Sequence, residues 1–306
     1  MSKTRKILTI TLAMALVAAI AVSGTLAYLS NSTEDDPLTN SFVAMGGGKL
    51  LDDLELVEHK IDENDRGIYE LTDTEVKNDD STSSQEYKIN PGIDLPKDPF
   101  VRVSGKTDVP SYLYVEVCTN GYNYLGTYNS STKTASNDGK YNATITGYKD
   151  SAKTVANGST GKISFELTSD WTALRTKNGT PVLGNNGGQM YLYTGALSNN
   201  GILDLHAADS GISVNANFTI FVLKGADATS AYVDANKDGV PDGSDMRTNP
   251  DCKNGCIRVD DVTGAAFSMP SPLNISFYTY MCQANAGEET SSASAPINAF
   301  ETCFRT

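Results

Sequence analysis

The stretch YLYVEV, Tyr112 to Val117, changes character at every residue. Leu113, Val115 and Val117 fall on one face, and Tyr112, Tyr114 and Glu116 on the other. A period of two is that of a β-strand, whose successive side chains point to opposite sides. The same period recurs along the chain. KISFEL (162–167) groups Ile163, Phe165 and Leu167, and QMYLY (189–193) sets Met190 and Leu192 against Tyr191 and Tyr193. NISFYTYMC (274–282) aligns Ile275, Phe277, Thr279 and Met281, while NFTIFVL (217–223) is apolar on both faces, as a central strand would be. The β-branched and aromatic content of these runs fits half-buried strands.

Between the strands lie turn-rich segments such as NGYNYLGTYNSSTKTASNDGK (120–140) and TKNGTPVLGNNGGQ (176–189). Their Asn-Gly, Asn-Asp and Gly-Gly pairs supply the positive φ angles of tight turns. No long stretch beyond the N-terminus has helical period, and no internal repeat is visible. The expectation is an all-β fold, an antiparallel sandwich or barrel with long loops. LLDDLELVEHKID (50–62) reads as an early strand and KNDDSTSSQ (77–85) as an acidic connection. SSASAPINAFETCF (291–304) reads equally as a short helix or a strand.

The first 27 residues follow the plan of a secretory signal. Lys3, Arg5 and Lys6 precede the apolar run Ile7–Val22, and small residues lead to a cleavage point between Ala27 and Tyr28. The alternative is an uncleaved membrane anchor, although the run is short for a span of about 20 residues. Removing this segment takes the net charge from −13 to −16, since it holds three cations and no anion. Such acidity argues against nucleic acid and anionic lipid as partners.

An exported chain permits disulfides. Of Cys118, Cys252, Cys256, Cys282 and Cys303, the pair Cys252–Cys256 can close a small ring and Cys282 can reach Cys303, although spacing leaves connectivity open.

DANKDGVPDGSD (234–245) has the spacing of a calcium loop. Asp234, Asn236 and Asp238 alternate, Gly239 allows the sharp turn, Val240 offers its carbonyl, and Asp242 and Asp245 follow at the ninth and last positions. Asp245 replaces the usual bidentate glutamate and no flanking helices are evident, which resembles the structural calcium loops of dockerins and thrombospondin type 3 repeats. The expected cofactor is therefore structural Ca²⁺.

No HExxH, GxSxG or phosphate loop is present, and His59 and His206 each stand alone. No catalytic residues are expected. A surface adhesin or carbohydrate-binding module remains open, because Tyr191 and Tyr193 could serve sugar binding, or could simply form the outer face of a sandwich.

Three stretches carry a resemblance. Gly24, Thr25, Ala27, Tyr28 and Ser30, then acidic residues, then Asn40 and Phe42 resemble the start of proteins processed by the SipW-type signal peptidase. EYKINPGIDLPKDPFVRVSG (86–105) with SYLYVEV (111–117), and MYLYTGALSNNGI (190–202) with ISFYTYMCQANAG (275–287), are similar to inner and late strands of the same TasA/camelysin-like family. The resemblance implies a jelly-roll-like β-sandwich secreted by a Gram-positive bacterium to its matrix or surface. It also implies self-association into filaments, by addition of the N-terminal segment of one copy to the next as a strand.

The donor candidate here is 28–45, with Tyr28, Leu29, Leu38, Phe42 and Val43 as its apolar contacts; Asp35, Asp36 and Pro37 interrupt it. The metallopeptidase activity described for camelysin-like members finds no histidine pair to receive it. The resulting division is signal peptide 1–27, N-terminal segment 28–48 and sandwich 49–306, with an insertion at about 225–265.

Overall fold

The alternating run at Tyr112–Val117 becomes the middle of a ten-residue strand, and the sheets are built around it. The computed structural model describes residues 30–32, 53–64, 68–77, 85–104, 109–204, 218–225, 249–284 and 293–305. In chain order the strands are β1 (Ser30–Ser32), β2 (Asp53–Glu63), β3 (Tyr69–Lys77), β4 (Leu95–Pro96), β5 (Phe100–Ser104) and β6 (Ser111–Asn120). Next come β7 (Asn123–Tyr124), β8 (Thr127–Asn129), β9 (Thr134–Ser136), β10 (Lys140–Tyr148), β11 (Ala156–Glu166), β12 (Trp171–Ala173) and β13 (Gln189–Tyr193). The last are β14 (Ser198–Asn199), β15 (Ile202–Leu203), β16 (Phe218–Phe221), β17 (Cys256–Val259), β18 (Ala266–Ser268) and β19 (Asn274–Gln283), followed by helix α1 (Ala295–Phe304).

The protein is an all-β sandwich in which every strand pairing is antiparallel. The main sheet runs β1-β19-β6-β13-β12, with β15 also paired to β6. The opposing layer contains β18-β10-β11-β17-β4 and β16-β5-β2-β3. These two join where Leu167 bridges Leu223 and Lys224 N–H donates to the Glu166 carbonyl at 2.7 Å. Residues 218–223 of the both-faced apolar run lie at this junction, between β5 and the end of β11. One core fills the space between layers: Leu113, Val115 and Val117 from β6, with Phe277 and Met281 from β19, meet Ile145, Ile163, Val101 and Val259.

Two expectations need correction. Tyr191 and Tyr193 do not line an outer face. Both are buried in the sandwich interior, where Tyr191 shares a 2.8 Å hydroxyl contact with Tyr141. Nor is the outer face of the main sheet open to water. Tyr112, Tyr114, Met190, Leu192 and Tyr280 are covered by α1, which lays Ala295, Ile297, Ala299 and Phe300 on them. Phe300 packs edge-on against Tyr114 and Tyr280 at 5.5 and 5.4 Å, and burying a phenyl ring of this kind stabilises by about 1.5–3 kcal/mol. Within the segment 291–304, ambiguous in sequence, Ala295–Phe304 is therefore helical, since it caps a sheet face.

The insertion expected at about 225–265 is also narrower. Its C-terminal part contains β17, which pairs with β11 and β4 and places Val259 in the core.

Glu116 lies on the same covered face and is fully buried. Its carboxylate accepts from Gly188 N–H (2.7 Å), Asn186 N–H (2.9 Å), the Asn186 amide (3.2 Å) and the Tyr280 hydroxyl (2.6 Å). Among the described residues no Lys or Arg pairs with it; the donors alone hold the carboxylate, which fixes the 184–188 turn over the sheet. At Gly184 a Cβ would overlap that carboxylate, so the turn needs glycine there. Glu116→Ala strands four buried or half-buried donors and is expected to cost about 3 kcal/mol or more in urea unfolding. A loss below about 1 kcal/mol would show that the turn holds without it.

Candidate functional site

The sheet edges decide where this sandwich can engage another chain. β19 pairs with β6 at all ten positions, from Asn274 opposite Asn120 to Gln283 opposite Ser111. On its other side β1 covers only Tyr280 to Cys282, with Ser30 opposite Cys282, Asn31 opposite Met281 and Ser32 opposite Tyr280. Among the described residues no strand pairs with that side from Asn274 to Thr279. A strand in this condition presents unpaired N–H and C=O groups.

Beside the uncovered stretch runs a groove of about 580 Å³, walled on one side by Asn274–Tyr278 and on the other by β2 and the 85–99 segment. Leu56, Ile89, Leu95, Ile257, Ile275 and Phe277 supply its apolar lining. Its polar rim is Glu58 and Lys97, paired at 2.8 Å with both side chains largely covered. Next to that pair, Asp98 is fully buried and accepts from His59 N–H at 3.1 Å, while its other oxygen lies 2.7 Å from His59 Nδ1. Tyr87 closes the cluster by donating its hydroxyl to the Pro96 carbonyl at 2.8 Å. Burial pushes the Asp98 carboxyl above the ordinary carboxylate value, against the opposing pull of the His59 contacts. Burial, reinforced by Glu58 and Asp98, pushes the Tyr87 phenol well up.

The visible role of this dyad is to lock β2 to the 97–99 segment. The sequence expectations distribute unevenly over this picture. The edge at Ser30–Ser32 is within the described residues. Ala27, Tyr28, Leu29, Leu38, Phe42 and Val43 lie outside them, as do the calcium-loop residues Asp234, Asn236, Asp238, Val240, Asp242 and Asp245 and the second histidine, His206. Among the described residues no group of three or more His, Cys, Asp or Glu side chains could hold a metal ion.

Cys252 and Cys256 come together thiol to thiol, and so do Cys282 and Cys303; all four, like Cys118, are free in this structure, so the expected Cys252–Cys256 bridge is not closed. Sequence reasoning missed the His59–Asp98 pair, because their separation of 39 positions leaves no local pattern. It also missed the burial of Glu116, which the 184–188 turn closes over.

Comparison with known proteins returned no matching family model, no matching curated protein and no matching solved structure.

The raised Asp98 carboxyl has a signed consequence. Between the ordinary value of 3.8 and its own higher one, the folded protein holds a proton that the unfolded chain releases, so this residue's contribution falls as pH climbs through that window. Asp98→Asn cannot ionise. Its stability relative to the wild type should therefore improve steadily as pH rises from 3.8, read as urea midpoints over a pH series. A difference independent of pH would contradict the assignment.

Proposed function

We propose that this chain is a secreted structural protein of the extracellular matrix or cell surface of a Gram-positive bacterium. In this reading it assembles into fibres by adding the N-terminal strand of one copy to the open sheet edge of the next. The observation that carries the reading is the pairing of Ser30–Ser32 with Tyr280–Cys282, which sets the far N-terminus against the last strand of the main sheet. Three paired residues leave most of that edge open, beside a groove with an apolar lining. An extended peptide satisfies such an edge through main-chain hydrogen bonds and gains specificity from side chains set in alternate pockets.

The occupant is the segment 28–45 of a second copy. Its own chain can place it on the same edge in the monomer, so folding and assembly compete for one site. A signal peptide joined at Ala27 would tether the segment until cleavage by a SipW-type peptidase, delaying assembly until export. The jelly-roll connection of the strands and the absence of catalysis belong to the same reading. The burial of Tyr191 and Tyr193 removes the aromatic surface on which a sugar-binding function would draw.

The acidic loop 234–245 takes a supporting part, with Ca²⁺ bound by Asp234, Asn236, Asp238, the Val240 carbonyl, Asp242 and Asp245 as a permanent staple. Isothermal titration of the processed protein is expected to show one site, lost in Asp234→Ala with Asp238→Ala. Absence of binding at millimolar metal would remove the staple while leaving the fibre reading intact.

Electron microscopy of purified protein beginning at Tyr28 tests assembly. Filaments should form as concentration rises, and a protein beginning at residue 49 should remain monomeric. Added peptide 28–45 should bind the shortened protein. Filaments from the shortened protein, or monomers alone from the full one, would contradict the reading.

A further inference from the structure

Five cysteines can pair in many ways, and the fold reduces these to one. Cys252 sits in the short 3-10 turn Pro250–Lys253 and Cys256 opens β17, both buried, with their thiols beside each other. The elbow between them is fixed from outside. Asn249 accepts from Asp251 N–H and donates to the Tyr69 carbonyl at 2.6 Å, while Asp251 accepts from Leu71 N–H at 3.0 Å. Gly255 passes so close to the Lys97 carbonyl that a Cβ would overlap it. Two thiols are thus held in contact by a backbone anchored on β3 and β4.

The second pair lies on the opposite side of the main sheet. Cys282 is buried on the outer face of β19 and Cys303, in the last turn of α1, packs against the same cluster with its thiol beside that of Cys282. Tyr114 sits beside them, its hydroxyl 3.6 Å from Cys282 Sγ and donating to the Pro296 carbonyl at 2.8 Å.

Pairing of Cys118 with Cys282 is not geometrically open. Cys118 stands opposite Ser276 and Cys282 opposite Tyr112, six positions apart along β6, or about 20 Å, far beyond the 4.4–6.8 Å that a disulfide spans between Cα atoms. The Cys252–Cys256 elbow belongs to the opposing layer, with the main sheet between it and Cys303. Cys118 itself contacts Glu116 at 3.5 Å and the Asn186 carbonyl at 3.7 Å. Burial, with the neighbouring carboxylate, pushes its thiol up to about 12, so it stays protonated and unreactive at neutral pH.

We propose that the protein carries two built-in disulfides, Cys252–Cys256 and Cys282–Cys303, and one insulated thiol, and that the second disulfide clamps helix α1 across the main sheet. This inference does not depend on fibre assembly. Each bond forms by thiol–disulfide exchange with a low-molecular-weight disulfide such as oxidised glutathione. One protein thiolate attacks a sulfur of the oxidant, the second displaces the mixed disulfide, and two thiols of the reductant leave with the two electrons and two protons. The clamp matters because α1 helps cover Tyr112, Tyr114 and Tyr280, and Cys282 is also the residue opposite Ser30 at the paired end of β19. Oxidation would therefore fix the helix cover and the strand edge together.

The test uses the processed full chain, oxidised with glutathione disulfide and digested without reductant. Trypsin should leave 248–253 joined to 254–258, and cleavage after Glu289 should leave the Cys282 and Cys303 peptides joined. Each bridge removes about 2 Da from the intact mass, and Cys118 alone should label with iodoacetamide in denaturant. Reduction should lower the melting temperature by about 6–12 °C and expose α1 to limited proteolysis. Cys303→Ser, at a half-buried position chosen so that the fold survives, should show that exposure without reductant, whereas Cys118→Ser should not. A bridge containing Cys118, four thiols still free after oxidation, or an α1 equally protected in Cys303→Ser would overturn the proposal.

Discussion

The antiparallel ladder between β6 and β19 is the constraint on which the remainder of the sandwich depends. It joins Ser111–Asn120 to Asn274–Gln283, whose paired residues lie 154 to 172 positions apart, with one register held over all ten positions. A slip of β19 by one residue against β6 would send Phe277 and Met281 to the outer face and Tyr280 into the core. Both faces are buried, so either error is costly. Glu116 sharpens this further, since its carboxylate finds its donors only when Tyr280 and the 184–188 turn stand on the same side of the sheet. Register, turn and helix cover are thus one decision.

That decision also creates the exposed edge. Among the described residues β19 has β6 on one side and three residues of β1 on the other, a long strand with part of one side unpaired. Natural sheets cover, shorten or charge such edges. Here the covering residues come from the chain's own N-terminus, and the groove beside the remaining stretch is lined by apolar side chains. The staples argued above sit around this edge. The cysteine elbow holds the opposing layer behind the groove, and the thiol pair on α1 lies behind the paired end of β19.

Much of this was legible in the amino-acid order. Period-two alternation at 112–117, 162–167, 189–193 and 274–282 identified four strands and sorted the side chains of β6 onto the correct faces. What alternation does not carry is which of two apolar faces meets the opposing layer. In QMYLY both sets can be buried, and the tyrosines went inside because Tyr191 finds Tyr141 there while Met190 and Leu192 meet α1. The helix itself was ambiguous because APINAFETCF is short and its apolar positions fit either period. Its state is settled by the face it covers. The His59–Asp98 pair and the partners of Glu116 arise from contacts across 39 to 164 positions, which no local spacing encodes. The two thiol pairs were the reverse case. Nearness in sequence suggested both, and the fold removes the competing connectivities.

The central claim is that the uncovered side of β19 is an assembly surface. Hydrogen exchange on freshly processed monomer and on the assembled protein tests it most directly. The account predicts that amides in 274–279 exchange rapidly in the monomer and become protected on assembly, while those of Leu113–Val117 are protected in both. Assemblies in which 274–279 exchange as fast as in the monomer would contradict it.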